Sequence, residues 1–280
     1  MAYSNLPIGT ANPTCFVVLV DQSWSMSQDW GVEVTKADAA TRAVNLVLEE
    51  LVLACRAGEN VRDRCHASVI GYGETVDCVV DGMISEVTSS LLEVRKTKKL
   101  IPDGAGGVIE VEVEMPIWLK SQAENGTPMH EAFDRAAQIV QRWCTKWQNG
   151  FPPSVINITD GAASDPVKTE TAARKVMNLG TADGKTLIYN IHITNNDKPE
   201  VILPHSTSKF SGDNLAEFLF NISSELPNPL REEAVALGIS AEPGARCFAY
   251  NVDEGWMIRL LNFGSLQVLS GGQDRVPLPA

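Results

Sequence analysis

Long apolar runs are scarce in this sequence of 280 residues. Near the N-terminus the longest is Cys15–Val20, far too short to span a bilayer. Met1 to Thr14 carries neither the basic nor the apolar segment of a secretory signal, so a cytoplasmic location is expected. Basic residues are outnumbered, 23 Lys and Arg against 35 Asp and Glu, for a net charge of −12. A surface of that sign repels phosphate backbones. The densest basic run, Arg95-Lys96-Thr97-Lys98-Lys99, is short and reads as a solvated turn. Nucleic acid and membrane are set aside as partners. Paired cysteine motifs are absent too. Cys15, Cys55, Cys65, Cys78, Cys144 and Cys247 form no CxxC and lie mostly in apolar segments. Buried reduced thiols are therefore expected, in place of a disulfide framework or a zinc site. There is no GxxxxGK[ST] phosphate loop and no GxSxG elbow, and Gly71-x-Gly73 lacks the rest of a dinucleotide fingerprint.

What is present is an alternation of buried strands and amphipathic helices. Apolar residues make up 44% of the chain, enough at this length for one large core. Cys15–Val20 reads as a central strand buried on both faces. A helix is predicted from about Val34 to Arg56, closed by Gly58, then a strand pair, His66–Tyr72 and Thr75–Val80. Ser85–Leu92 suits a short helix, residues 102–107 a flexible loop, and Val108–Glu114 an exposed or edge strand. Thr127-Pro128 opens a helix to about Trp147, with the Thr hydroxyl at the N-cap. Ser154–Thr159 and Thr186–Ile193 are further buried strands, with a helix between them capped at Ser164-Asp165-Pro166. Later segments read as helices at Asn214–Leu226, Arg231–Leu237 and Asp253–Leu261, with a strand at Cys247–Asn251. The pattern is that of an α/β protein with a doubly wound, mostly parallel sheet flanked by helices. The expected organisation is an arm at 1–13 and a domain at 14–263. That domain carries an inserted elaboration at 81–124 and an extension at 196–263, and a loose tail follows at 264–280.

In such sheets ligands bind beyond the carboxyl ends of the strands. Two buried strands here end in aspartate, Val20 into Asp21 and Thr159 into Asp160. Ser23 and Ser25 follow the first at alternate positions, so one extended loop can aim all three at one point. Thr127 adds a hydroxyl at a helix start. Two carboxylates and three hydroxyls describe a hard-cation site: Mg²⁺ foremost, with Ca²⁺ or Mn²⁺ acceptable. Hydroxyls donate weakly, so the ion keeps an electrophilic face for an outside anion. His66, His130, His192 and His205 show no ligand spacing. Trp24, inside the loop, is a candidate partner anchor.

These three elements, Asp21-x-Ser23-x-Ser25, Gly126-Thr127-Pro128 and Ile158-Thr159-Asp160-Gly161, resemble the metal-ion-dependent adhesion site of von Willebrand factor A (VWA) domains. The likeness covers roughly residues 14 to 195. It implies a Rossmann-like fold in which Ser23, Ser25 and Thr127 contact the ion, while Asp21 and Asp160 supply charge and hold waters. The gap from Asp21 to Thr127 is longer than in compact members, and a segment at 81–124 folded over the site would restrict access to it. The acidic, signal-free chain looks like the stand-alone bacterial intracellular members. That likeness implies a stress or phospho-signalling setting, with a kinase and phosphatase as possible company. The leading expectation is a non-enzymatic adaptor whose ion recruits an Asp or Glu of a protein partner. Two alternatives remain: a metal-dependent hydrolase or phosphotransferase at the same edge, and an adaptor subunit of an AAA+ ATPase complex.

Overall fold

A computed structural model describes residues 8–31, 34–102, 107–161, 163–195 and 197–266. The tail from 267 on, residues 103–106 of the loop and most of the N-terminal arm lie outside the described residues. The principal elements are β1 (Thr14–Asp21), α1 (Lys36–Cys55), β2 (Cys65–Tyr72), β3 (Val76–Met83), β4 (Glu93–Pro102), β5 (Val108–Ile117), α2 (Met129–Lys146), β6 (Ser154–Thr159), α3 (Pro166–Asn178), β7 (Leu187–His192), β8 (Val201–Ile202), α4 (Asn214–Asn221), α5 (Asn228–Ala236), β9 (Phe248–Tyr250) and α6 (Glu254–Leu266). Seven strands form one sheet in the order β8-β9-β7-β6-β1-β2-β3. The five inner strands are parallel, and β3 and β8 run antiparallel at the two edges. The protein is thus a doubly wound, mostly parallel α/β fold.

β1 shows why the sheet is covered on both sides. Every residue of it is buried. Phe16, Val18 and Val20 point to the layer made with Ala40, Val44, Leu48 and Leu51 of α1 and with Met257 and Leu261 of α6. Cys15, Val17 and Leu19 point the other way, against Phe133, Ala136 and Val140 of α2 and Val176 of α3. The period of two divides a continuous apolar run between two cores. α1 begins with a capping box, Thr35 Oγ1 accepting from the Asp38 backbone N–H at 3.1 Å and Asp38 accepting from the Thr35 N–H at 3.2 Å. All six cysteines are free thiols, four of them buried.

Several sequence expectations change, among them the helix expected at Asn214–Leu226, which ends at Asn221. The basic run at 95–99 is part of a strand, not a turn. β4 and β5 form an antiparallel ribbon separate from the main sheet, in which Lys96 pairs diagonally with Glu112 (2.9 Å) and Lys98 with Glu110 (2.6 Å). Opposite charges on facing strands favour that pairing, a signal available only once the two segments are aligned. The helix expected at Ser85–Leu92 is a single turn, Ile84–Val87. The final helix runs on to Leu266, past Gly264, because Leu260, Leu261 and Phe263 remain buried there. Among the described residues no helix is long and apolar enough to cross a membrane.

The ribbon is anchored at its base, halfway along α1. Buried Asn45 donates to Leu119 O at 2.9 Å and accepts from the N–H groups of Trp118 (2.9 Å) and Leu119 (3.1 Å). The Trp118 indole N–H donates to Val87 O at 2.8 Å. Asn45→Leu would keep the side-chain volume and strand these backbone groups. A loss of about 2–4 kcal/mol is expected, measured by urea denaturation.

Candidate metal centre

The sheet register brings the two aspartates to one edge. Asp21 is level with Tyr72 in β2, Val20 with Ile158 in β6, and Thr159 with His192 in β7. Asp21 is fully buried. Its Oδ1 accepts from the Ser23 backbone N–H at 2.9 Å, and its Oδ2 from the Thr159 hydroxyl at 2.5 Å. Thr159 Oγ1 in turn accepts from the Gly161 N–H at 2.9 Å, which fixes the turn that presents Asp160.

After Asp21 the chain makes a short 3-10 turn, Trp24–Ser27, whose buried Met26 seats it in the core. That turn places Ser23 Oγ 3.0 Å from Ser25 Oγ. The Ser25 hydroxyl donates to Asp160 Oδ1 at 2.9 Å. The Lys36 ammonium donates to Asp160 Oδ2 at 3.2 Å and to Gln28 Oε1 at 2.9 Å. His192 Nε2 lies 3.0 Å from Asp160 O, and since a carbonyl only accepts, the ring proton there belongs to Nε2. Asp21, Ser23, Ser25 and Asp160 thus form one cluster, joined directly or through Thr159 and backbone.

Thr127 reaches this edge by a different route. Its backbone N–H donates to Ser164 Oγ at 3.1 Å and its carbonyl accepts from the Ser164 N–H at 3.0 Å, tying it to the loop that follows Asp160. Glu124, three residues earlier, donates its N–H to Gln22 O at 2.6 Å and pairs with Ser23 in a one-residue bridge. Thr127 is not the N-cap. Pro128 takes that position and α2 starts at Met129, because a residue before proline is pushed out of the helical region. Pro128, without a polar side chain, makes no side-chain cap. Among the described residues of the 81–124 segment, Gln122 and Glu124 touch the site, on Gln22 and Ser23.

Electrostatics distinguish the two carboxylates. Burial pushes Asp21 up to about 6, opposed by the hydrogen bonds from Thr159 and Ser23. No cation faces it among the described ion pairs, whereas Asp160 has Lys36. Burial also lowers His192. No group of three His, Cys, Asp or Glu residues is gathered to hold a metal among the described residues. An ion at this edge would therefore depend on two carboxylates and on hydroxyls. That donor set fits a hard divalent cation, and the cation's charge would offset the buried charge of Asp21.

No protein-family model matches the chain, and no curated protein does. Solved structures offer distant likenesses. The chain is similar to the conserved hypothetical protein BatB from Bacteroides thetaiotaomicron, at 15% identity and a TM-score of 0.40 over 64% of this chain and 66% of that one. It is similar to the vWF domain of the type V pili tip protein Mfa5 from Porphyromonas gingivalis, at 14% identity and 0.35 over 54% and 39%. A manganese-loaded Plasmodium vivax TRAP protein gives 13% identity and 0.44 over 91% and 74%. The match spans less than two thirds of the length of the first two. Likenesses this remote assign neither family nor function.

Several residues at the site escaped the sequence reading. Lys36, Gln22 and His192 have no local signature of a role here, and Thr159 reads only as part of the strand end that presents Asp160. Gly71 and Gly73 have one, once the fold is known. A Cβ on Gly71 would lie 2.2 Å from Gln22 Oε1, and one on Gly73 would lie 2.8 Å from Gln22 O. Both glycines make room for the loop that carries Ser23. At Gly73 the obstacle is backbone, which cannot swing aside. Gly73→Ala is expected to cost about 1–3 kcal/mol, seen as a lowered Tm in chelator.

Proposed function

We propose that the chain is a protein-binding module of the VWA type whose binding depends on a divalent cation, with Mg²⁺ preferred. Ser23, Ser25 and Thr127 would contact the ion, and Asp21 and Asp160 would balance its charge and hold its waters. Bound there, the ion would offer an electrophilic position to a carboxylate from outside, an Asp or Glu of a partner protein. The observation that carries this reading is the direct linkage of Ser23, Ser25 and Asp160 beside the buried Asp21, at the carboxyl edge of two neighbouring strands. Trp24 supports it. It is 65% exposed within the same loop, and an exposed tryptophan beside a binding position is a natural partner anchor.

A binding role suits this site better than turnover. Asp160 is engaged by Lys36 and Ser25, Asp21 is enclosed by Thr159 and the Ser23 backbone, and the His192 ring is held by a carbonyl. Among the described residues, these engagements occupy the carboxylates and the imidazole beside the hydroxyls. We read the setting as cytoplasmic and the partner as a component of a stress or phospho-signalling system, such as a kinase and phosphatase pair or an AAA+ ATPase.

Two measurements test the proposal. In calorimetric titration with Mg²⁺ or Mn²⁺, Ser25→Ala is expected to weaken binding about 10- to 100-fold. In affinity capture from the native cell, partners should be retained in Mg²⁺ and lost in chelator. Equal retention in both, or cation binding untouched by Ser25→Ala, overturns the reading.

A further inference from the structure

Lys36 stands first in α1 and is 4% exposed. Both circumstances work against an ammonium group. The start of a helix carries the positive end of its dipole, where cations are disfavoured. Burial removes water from a side chain that is almost never buried unpaired. The ammonium is nevertheless clamped between Gln28 Oε1 at 2.9 Å and Asp160 Oδ2 at 3.2 Å, and the Lys36 backbone N–H donates to Gln28 O at 3.1 Å. Among the described residues this is the one ion pair that either site carboxylate makes. A lysine wanted only for stability has easier places to sit.

We propose that Lys36 is the resident counter-charge of the centre, holding Asp160 in position without a divalent ion and weakening that ion's binding when it arrives. This rests on the reading of the edge as a cation site. With Lys36 present, two carboxylates and one ammonium leave a single net negative charge facing the incoming ion. Without it there would be two. Like-charge repulsion inside a poorly solvated site is strong, so the ammonium sets the affinity low. The centre then fills only where free cation is plentiful and empties readily, which makes partner binding responsive to cation concentration.

The discriminating variant is Lys36→Met, which keeps the buried stem and removes the charge. A merely structural ion pair and a counter-charge give opposite signs in cation affinity. If Lys36 only braces the site, its loss lowers stability and leaves affinity unchanged or weaker. If it is the counter-charge, the variant is less stable in chelator yet binds Mg²⁺ or Mn²⁺ about 10- to 100-fold more tightly by calorimetry. Mg²⁺ then also raises its Tm more than that of the parent. Lys36→Arg, which keeps the charge, should bind as the parent does. A variant that folds only on adding Mg²⁺ supports the proposal. If it folds at no Mg²⁺ concentration, Lys36→Gln takes its place in the same titration. Equal or weaker binding by the charge-removing variant, or a gain shared by Lys36→Arg, overturns the counter-charge. Binding by neither parent nor variant overturns the cation-site reading along with it. Binding by the variant alone supports the counter-charge and overturns cation dependence in the native chain.

Discussion

The structure is organised around the cost of ending two adjacent buried strands in carboxylates. Asp21 and Asp160 leave β1 and β6 side by side, Asp21 fully buried and the Asp160 side chain 8% exposed. A charge so placed must be answered by donors or by a cation. Asp21 is answered by neutral donors, a backbone N–H and the Thr159 hydroxyl. Asp160 is answered by an ammonium and a serine. Much of the neighbourhood follows from supplying these partners: the tight turn over Met26, the Thr159–Gly161 contact, and a helix that begins on a lysine.

Much of this was legible in the sequence because its signals are local. A six-residue apolar run ending in Asp is a strand and its polar terminus wherever it occurs. Asp21-x-Ser23-x-Ser25 needs only an extended loop to bring its side chains to one side. The sheet class followed from alternation of strands and helices, since parallel neighbours need crossovers long enough to hold a helix. The cluster of Asp21, Ser23, Ser25 and Asp160 is the spatial form of those local patterns. Thr127 arrives through backbone ties to Ser164.

What stayed hidden depends on distant pairs. Lys36 is an ordinary polar residue in the text of the chain, and only the fold reveals that it stands over Asp160. The strand at Glu93–Pro102 carries lysines of weak strand preference and becomes intelligible opposite Glu110 and Glu112. Gly71 and Gly73 read only as a fragment of a dinucleotide fingerprint, while their role is to admit Gln22. A buried polar chain was equally invisible. Tyr72 donates to Asn157, Asn157 to Asn190, and Asn190 to Ser223, the first three inside strands that read as apolar and the last just past α4. Such groups are tolerated in a core because each finds its partner there.

The β4–β5 ribbon has a different relation to its surroundings from that of the sheet. Its charged pairs, Lys96 with Glu112 and Lys98 with Glu110, lie in contact with solvent, where mobile ions compete with them. The linkage of Ser23, Ser25 and Asp160 is sheltered by the strand ends and by Lys36. Ionic strength therefore acts unequally on the molecule. Concentrated salt screens the ribbon's exposed pairs far more than it screens the sheltered pair of Lys36 with Asp160 at the carboxyl edge of the sheet.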